Sequence, residues 1–437
     1  MSYTVKDVLR MEVAPALGCT EPSAVALSAA VAASVLGREF ESIELWLDPN
    51  TYKNGIAVSI PGVQNYVGID LAAALGAFGG DPALKLEVLD PLTPEIVEEA
   101  VKFVREGRVQ VHVLEKGGGI YVRTHLTKGS ENAEAIIEKF HDRVTSIKHN
   151  GRELKDHPLL SRAERAQHDT EKMEKWLSGL SLAELVQLLD SLDEEDLRFL
   201  AEGVEYNMRL AEYGLTYGPG LGVGSTLERL VREGLTKKDM VMAARILTSA
   251  AADARMSGVK LPAMSSAGSG NHGLTAILPI RAVRDYIQGT SDMEMLKAIA
   301  LSHIITAYVK AYTGRLSAVC GCSVAAGAGA TAGITYLMGG NLHHIAGAIK
   351  NLIADLAGVI CDGAKASCAL KLATAAGVAV QSALFSLHGL DVKATDGIIA
   401  ATPEQTMRNV GQLSTQGMIE TDRIILQIMI DKQFKGV

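Results

Sequence analysis

The sequence predicts an α+β fold in which a small N-terminal α+β domain is followed by a large, mostly helical domain. Strand-like segments are concentrated before about residue 154, whereas helix-start motifs and helical periodicity dominate after residue 160. We therefore divide the 437 residues into three parts: N-terminal helices in 1–37, the small α+β domain in 38–158 and the helical domain in 159–437.

Residues 1–37 should form two helices around one loop. A short N-terminal helix precedes a loop from Pro15 to Pro22, and the alanine-rich run 23–36 predicts a helix that ends at Gly37. Cys19 lies in the loop, just before the second helix. We expect this segment to pack near the functional site.

Alternating apolar residues in the small domain predict four strands, at 43–47, 56–60, 109–113 and 120–124. Pro61-Gly62 should end the second strand, and the glycines at 117–119 should join the last two as a hairpin. Residues 94–106 have helical periodicity, and Asn150-Gly151 is typical of a tight turn. Strands and helices are thus interleaved in this part of the chain.

Three Ser-x-x-Glu motifs in the last part are typical of helix N-termini, where the two side chains cap free backbone amides. They are Ser181 with Glu184, Ser191 with Glu194, and Ser225 with Glu228. The glycine-rich run 218–224 follows a predicted helix rather than a strand, and no Gly-Lys-Ser/Thr accompanies it. This run therefore indicates a flexible helix start rather than a nucleotide site.

Composition and charge restrict the class of protein. The net charge of −8 and the pI near 5.8 argue against nucleic acid as a partner. Residues 316–349 carry no charge, but they are mostly Ala, Gly, Ser and Thr, which favours a buried helical hairpin over a membrane span. The N-terminus lacks a secretory signal pattern, so we expect a cytoplasmic protein with reduced thiols and no membrane partner.

Four of the five cysteines lie in the last third, as Cys320-Gly321-Cys322, Cys361 and Cys368, among small residues. An odd, sparse set of cysteines argues against a disulfide framework. Zinc sites usually have two short-spaced ligand pairs, whereas these pairs are about forty residues apart and differ in spacing. Buried, unliganded cysteines and zinc remain alternatives, but the pattern favours an iron–sulfur cluster.

Two further segments are candidates for chemistry. The run 265–273 combines small residues with hydroxyl, amide and imidazole groups, which suits a carboxylate or a small polar substrate, although an ordinary polar loop is an equal alternative. Cys19 precedes a helix N-terminus, whose positive end lowers the pKa of a thiol and favours thiolate. Cys19 is therefore a base, a nucleophile, a ligand or a small buried residue.

Four motifs occur in this order: Gly18-Cys19-Thr20-Glu21-Pro22; Lys53-Asn54 with Ile60-Pro61-Gly62; Ser265-Ser266-Ala267-Gly268-Ser269-Gly270-Asn271-His272-Gly273; and Cys361-Asp362-Gly363-Ala364-Lys365-x-x-Cys368. Together they resemble L-cysteine desulfidases, a group related to iron–sulfur L-serine dehydratases, over nearly the whole chain. The resemblance implies a [4Fe–4S] cluster on three cysteines, with one iron open for substrate, and no pyridoxal phosphate.

The resemblance also implies site residues. Cluster ligands correspond to Cys361, Cys368 and one of Cys320 or Cys322, of which Cys320 is preferred because its spacing to Val324 matches the related dehydratases. The reactive N-terminal cysteine corresponds to Cys19, which we predict to be the base. Lys365 is the alternative base, and the predicted substrate-binding residues are Asn54, Ser266, Gly268, Ser269, Asn271 and His272.

The implied reaction is β-elimination of L-cysteine to pyruvate, ammonia and hydrogen sulfide by a carbon–sulfur lyase. L-Serine dehydration with the same ligands is the alternative activity, and a non-enzymatic metal or redox-sensing module is the alternative class. We expect the amino-acid substrate to be the main partner and a homodimer to be a possible assembly.

Overall fold

The structure is a computed structural model that describes residues 3–434 apart from 61–62, 64–65, 116–118, 162–163 and 315–316; the side chains of 164–170 and 433–434 also lie outside it. The fold is α+β, as predicted. Its helices are α1 (Val5–Glu12), α2 (Thr20–Leu36), α3 (Pro49–Gly55), α4 (Ile69–Gly79), α5 (Pro94–Arg105), α6 (Glu164–Leu177), α7 (Leu182–Gln187), α8 (Glu194–Tyr217), α9 (Val223–Arg232), α10 (Met240–Met256), α11 (Gly270–Arg284), α12 (Asp292–Thr313), α13 (Gly327–Leu337), α14 (Leu342–Leu356), α15 (Cys368–Leu387), α16 (Pro403–Gln412) and α17 (Ile419–Phe434).

The strands form two sheets in the described part of the chain. They are β1 (Pro15–Leu17), β2 (Ser42–Leu47), β3 (Val109–Val113), β4 (Tyr121–Lys128), β5 (Glu131–Glu138), β6 (Val144–His149), β7 (Arg152–Glu153) and β8 (Pro262–Met264). Six strands form one sheet in the order β3-β2-β4-β5-β6-β7, and β1 pairs with β8. Because β1 and β8 are far apart in sequence, their antiparallel pairing ties the N-terminal loop to the segment before α11.

The helix Pro94–Arg105 and the strands at Ser42–Leu47 and Val109–Val113 confirm three predictions. The predicted hairpin between β3 and β4 is wrong. Strand β2 lies between them, parallel to β3 and antiparallel to β4. Alternation of apolar residues in the sequence indicates a strand but does not determine which strand it pairs with. Gly117 and Gly118 lie outside the described residues, whereas Asn150 and Gly151, both at positive φ, form the predicted turn between β6 and β7.

The predicted strand at 56–60 is also wrong. Helix α3, capped by the Asp48 carboxylate, ends at this point, and only Ser59 forms an isolated bridge with Val67. Val58 and Ile60 are buried in the surrounding cores without strand pairing, which explains the misleading alternation. Pro61 and Gly62, predicted to end the strand, lie outside the described residues.

The described residues form two large hydrophobic cores of unequal size and a third, minor cluster that contains Cys19 and Cys368. The smaller core is formed where α2 and α4 pack on the six-stranded sheet. The larger core is formed by the helices that follow residue 170, and the buried face of α1 joins it. Leu426 and Ile430 of the C-terminal helix α17 pack instead on the smaller core. The N-terminal helix thus packs on the core of the later helices, and the C-terminal helix packs on the core of the small domain. The boundaries at residues 37 and 158 stay predictions.

One of the three predicted capping boxes is correct. Ser181 and Glu184 cap α7, but α8 is capped by Asp193 with Asp196, and α9 begins after Gly222 at positive φ. The Ser191 hydroxyl instead donates to the carbonyl oxygen of Leu188. The segment 316–349 contains α13 and the first half of α14, which confirms the buried hairpin.

One described helix, Cys368–Leu387, is long and apolar enough to span a membrane, and 56% of its apolar window is buried in the protein. Core helices of soluble proteins meet the same criteria. The helix begins at Cys368, one of the candidate cluster ligands, and its first apolar residues pack in the hydrophobic cluster around the site.

Candidate active site

A cavity of about 120 Å³ is lined by all five cysteines of the chain. It also brings together most of the predicted site residues. Those that line it are Cys19, Asn54, Gly268, Ser269, Asn271, His272, Cys320, Cys361 and Cys368. Two predicted residues, Ser266 and Lys365, are absent from the lining.

Four helices begin at the cavity wall. They are α2 after Cys19, α11 after Ser269, α15 at Cys368, and the helix that starts at Gly321 and runs through a π turn into α13. The first turn of each helix leaves backbone N–H groups without intrahelical partners, and the helix dipole is positive there. Their convergence makes the cavity favourable for anions, such as thiolates and a carboxylate.

The charged side chains that line the cavity are mostly positive, which also favours anions. Arg255, Lys310 and Lys371 line the cavity, and Glu21 is the one carboxylate among the described lining residues. Arg255 and Lys310 are 4% and 6% exposed. The sequence analysis missed all three cations. Arg255 and Lys310 each lie near the end of a long apolar helix. A single charged residue at such a position was the signal in the sequence that could have indicated them.

Arg255 joins two of the helix starts. One guanidinium nitrogen donates to the Asn271 side chain at 2.9 Å and the other to the carbonyl oxygen of Gly18 at 2.6 Å. A Cβ at position 270 would lie 2.4 Å from Nε of Arg255, so only glycine leaves room for this group. The guanidinium thereby fixes the start of α2 against the start of α11.

The two cysteine segments are joined by backbone hydrogen bonds. Cys320 N–H donates to the carbonyl oxygen of Val359 at 2.9 Å, and Cys361 N–H donates to that of Ala318 at 2.6 Å. This antiparallel bridge, centred on Val319 and Ile360, holds the two thiols on neighbouring stretches of extended backbone. It explains how residues about forty positions apart reach one cavity.

Cys320 is the thiol most suited to be ionised. Hydrogen bonds from the Cys322 thiol and from the hydroxyl and backbone N–H of Ser323 lower the pKa of Cys320 to about 6. The pKa of Cys322 is correspondingly raised, first by its hydrogen bond to Cys320 and then by burial. Both side chains line the cavity, so the choice of Cys320 over Cys322 as ligand stays a prediction.

Cys361 lies in a loop and Cys368 at the first residue of α15. No helix joins them, and Gly363 between them has a φ of +92°. A Cβ at position 363 would lie 2.0 Å from the carbonyl oxygen of Lys53. The loop therefore packs directly on α3, beside Asn54. Burial raises the pKa of Cys361, and raises that of Cys368 to about 11.

Cys19 precedes α2 as predicted, but its pKa is not lowered. Burial, followed by the carboxylate of Glu21, raises the pKa of the Cys19 thiol, and the charge of Arg255 opposes this only in part. The thiol donates a hydrogen bond to Glu21 Oε2 at 3.5 Å. Burial beside Glu21 therefore favours the neutral thiol of Cys19 over the thiolate that the helix dipole alone would favour.

The loop before α11 is a tight turn in which Ala267 and Gly268 both have positive φ. Ser266 and Ser269 exchange backbone hydrogen bonds across it. An alanine at φ +45° is strained, and such strain is common beside functional sites. Ser266 points away from the cavity, where its hydroxyl meets Nδ1 of His303 at 2.9 Å, so it supports the loop rather than lining the site.

His272 presents one imidazole nitrogen to the cysteine segment. Its Nδ1 lies 3.2 Å from the carbonyl oxygen of Ser266. Because a carbonyl oxygen only accepts hydrogen bonds, Nδ1 carries the proton, and Nε2 of the neutral imidazole is unprotonated. A Cβ at position 321 would lie 2.4 Å from Nε2. Burial, followed by the positive charge of Lys310, lowers the pKa of His272 to about 3. His272 is therefore a neutral hydrogen-bonding group.

Lys365, the alternative base, is turned toward Asp362. Its ammonium pairs with the Asp362 carboxylate at 2.7 Å and donates to the carbonyl oxygen of the same residue. Lys371 lies three residues after Cys368 in α15, lines the cavity and pairs with Asp362 at 2.5 Å. Of the two lysines, Lys371 is therefore the one near the thiols.

The donor set fits an iron–sulfur cluster. Four thiols from the C-terminal part of the chain line one cavity, one of them with a pKa lowered to about 6, and Lys371 lies beside them. Among the described residues, no three His, Cys, Asp or Glu side chains are arranged to hold a single metal ion. Cysteine thiolates are the usual ligands of iron–sulfur clusters, so this lining meets the donor chemistry that such a cluster requires.

Comparison with known proteins identifies the family of the chain. The family model described as the serine dehydratase alpha chain matches residues 85–427. The chain belongs to the serine dehydratase alpha chain family. A UPF0597 protein from Desulfatibacillum aliphaticivorans is 59% identical over 99% of both chains. Another from Clostridioides difficile is 44% identical over 97% of this chain and 99% of its own. The predicted relationship to the serine dehydratase alpha chain is thereby confirmed.

Proposed function

We propose that this protein is an iron–sulfur lyase that eliminates the β substituent of a small L-amino acid, with L-cysteine as the substrate. The observation that carries the proposal is the one cavity shared by five cysteines, three cations and the starts of four helices. Membership of a family that includes iron–sulfur serine dehydratases supports the lyase chemistry.

Cys361, Cys368 and Cys320 are the residues that would hold the [4Fe–4S] cluster, with Cys322 as the alternative to Cys320. When bound, the cluster would supply a Lewis acid for the leaving group. The helix starts around the thiolates would stabilise the negative charge within the cavity.

The remaining lining residues suit an amino-acid zwitterion. The positive start of α11, with Ser269 and Asn271, offers donors to the substrate carboxylate, and Arg255 adds a buried positive charge. Asn54 and the neutral His272 offer further hydrogen bonds within the cavity. The Cys19 sulfur, in the same lining, would take the α-proton as its own thiol proton leaves. Elimination then gives aminoacrylate, which becomes pyruvate and ammonia in water.

L-Serine dehydration is the second candidate, favoured by the family match itself. One anaerobic preparation of cluster-loaded protein, assayed in parallel with L-cysteine and L-serine, separates the two. A higher kcat/KM for cysteine, with equal sulfide and pyruvate, supports the desulfidase. Preference for serine would replace it with the dehydratase, and the absence of turnover with both would favour a sensing module. A cytoplasmic location and an assembly of two copies remain part of the proposal.

A further inference from the structure

Cys19 is one end of a connected set of three side chains. Its thiol donates to Glu21 Oε2 at 3.5 Å, and Glu21 Oε1 lies 3.6 Å from Nε2 of His141. The Glu21 and His141 side chains are 9% and 14% exposed, and all three residues line the cavity. The Thr20 hydroxyl also donates to Oε2, at 3.2 Å. One buried carboxylate thus lies between a thiol and an imidazole.

The three residues come from two parts of the fold. Cys19 and Glu21 lie at the start of α2, whereas His141 lies in the connection between β5 and β6 of the six-stranded sheet. Their meeting is therefore a product of the tertiary structure rather than of a local motif. Glu21 is also the one carboxylate among the described residues that line the cavity. Burial opposes its ionisation, but His141 and the Cys19 thiol lower its pKa to about 2, so the carboxylate is ionised and can accept a proton during the reaction.

We propose that Cys19, Glu21 and His141 form one proton-transfer unit, an inference that rests on the proposed lyase function. In one concerted step the thiol proton of Cys19 passes to Glu21 Oε2 while the Cys19 sulfur takes the α-proton of the bound amino acid. The electrons of the broken C–H bond form the Cα–Cβ double bond, and the Cβ–S bond breaks with its electrons on sulfur. The proton on Glu21 then passes to the released hydrosulfide.

His141 acts as a positioning residue in this unit. By facing Oε1, it leaves Oε2 directed at the Cys19 thiol, as the third member of a catalytic triad orients the second. Loss of His141 should therefore reduce the rate less than loss of Glu21, since the carboxylate remains.

The test uses Glu21→Gln, Glu21→Asp and His141→Gln, with Glu134→Gln as the matched control. Glu134 is also a buried carboxylate of the small domain, but it pairs with Arg123 and Lys148 away from the cavity. Each variant is loaded anaerobically with iron and sulfide and assayed with L-cysteine and with α-deuterated L-cysteine. Iron content, kcat and the isotope effect are measured.

We expect Glu21→Gln to keep its iron and to lose about 100-fold or more in kcat, the usual share of a general base. The α-deuterium isotope effect should rise, which a structural defect alone would not cause. Glu21→Asp, which keeps the charge, and His141→Gln should lose about tenfold. Glu134→Gln should retain the wild-type kcat. A Glu21→Gln variant with full iron and a kcat within about threefold of wild type would overturn the proposal.

An independent readout uses the protein before cluster loading. The infrared S–H band of Cys19, isolated by subtracting the spectrum of Cys19→Ser, should shift to higher frequency in Glu21→Gln because the thiol loses a charged acceptor. An unshifted band would contradict the unit directly. If wild-type loaded protein turns over no amino acid while the band shifts, the proposed function fails and the Cys19–Glu21 contact stands.

Discussion

The backbone of Gly363 lies against the carbonyl oxygen of Lys53, so closely that a Cβ at position 363 would be 2.0 Å from it. This contact joins the loop between Cys361 and Cys368 to helix α3, which carries Asn54 into the cavity. The positive φ of +92° independently requires glycine. The position of two candidate ligands thus depends on a residue without a side chain.

Gly363→Ala should therefore displace the loop from α3. We expect a loss of about 2 kcal/mol or more in unfolding free energy, because strain at positive φ adds to the steric overlap. Iron bound after reconstitution should fall as well. Gly358→Ala is the control, since a Cβ at position 358 would have no described atom within 4 Å and its φ is ordinary. Equal iron content in both variants would contradict this role.

Cys320→Ala and Cys322→Ala test the predicted third ligand. Cys320 is the thiol whose pKa is lowered by hydrogen bonds from its neighbours, and its backbone is bridged to the segment of Cys361. We expect Cys320→Ala to lose the cluster absorption and most of the iron, whereas Cys322→Ala keeps both. Loss of the cluster in the Cys322 variant alone would reverse the assignment.

Asp422 provides the counter-charge for Lys53, whose side chain is 1% exposed. Asp422→Asn should lower the free energy of unfolding by about 3 kcal/mol, because a buried ammonium loses its partner. Glu420→Gln is the control, since Glu420 pairs with Arg423 on an exposed surface and such pairs contribute about 0–1 kcal/mol. Urea unfolding of both variants measures the difference, and equal losses would contradict the argument.

His303 should make the protein without cluster sensitive to acid. Burial lowers its pKa to about 3, and burial lowers that of His272 to a similar value. The unfolded chain therefore binds more protons below about pH 6.5, so stability falls as the pH falls from 6.5 toward 3. Each histidine should account for about 2 kcal/mol between pH 7 and pH 5.

His303→Gln should remove about half of this pH-dependent loss, measured by urea unfolding at pH 7 and pH 5. His149→Gln, at a half-buried position of β6, should keep the wild-type difference. An unchanged difference in the His303 variant would show that this imidazole does not titrate between the folded and unfolded states.

Local signals in the sequence were sufficient for the fold class and for several helices. Ser181 with Glu184, the helix Pro94–Arg105 and the turn at Asn150 each depend on neighbours within a few residues. The hairpin between β3 and β4 failed because strand pairing is a long-range property, and β2 takes the intervening place. The apolar alternation at 56–60 failed because burial, not pairing, produces it.

The same distinction between local and long-range signals applies to the candidate site. The cysteines and most of the loop at 265–273 were predicted from motifs and meet in one cavity. Arg255, Lys310 and His141 were missed because each is a single polar residue whose meaning depends on tertiary neighbours. The ionisation of Cys19 could not be predicted, because the helix dipole that lowers its pKa is visible in the sequence, whereas the burial that raises its pKa is not.

The most direct test of the central claim is anaerobic reconstitution of the full chain with iron and sulfide, followed by addition of L-cysteine. We predict roughly four irons per chain, as a cubane cluster requires, with sulfide and pyruvate released in equal amounts. A protein that binds no iron under these conditions would contradict the account and return the four C-terminal cysteines to zinc binding or packing.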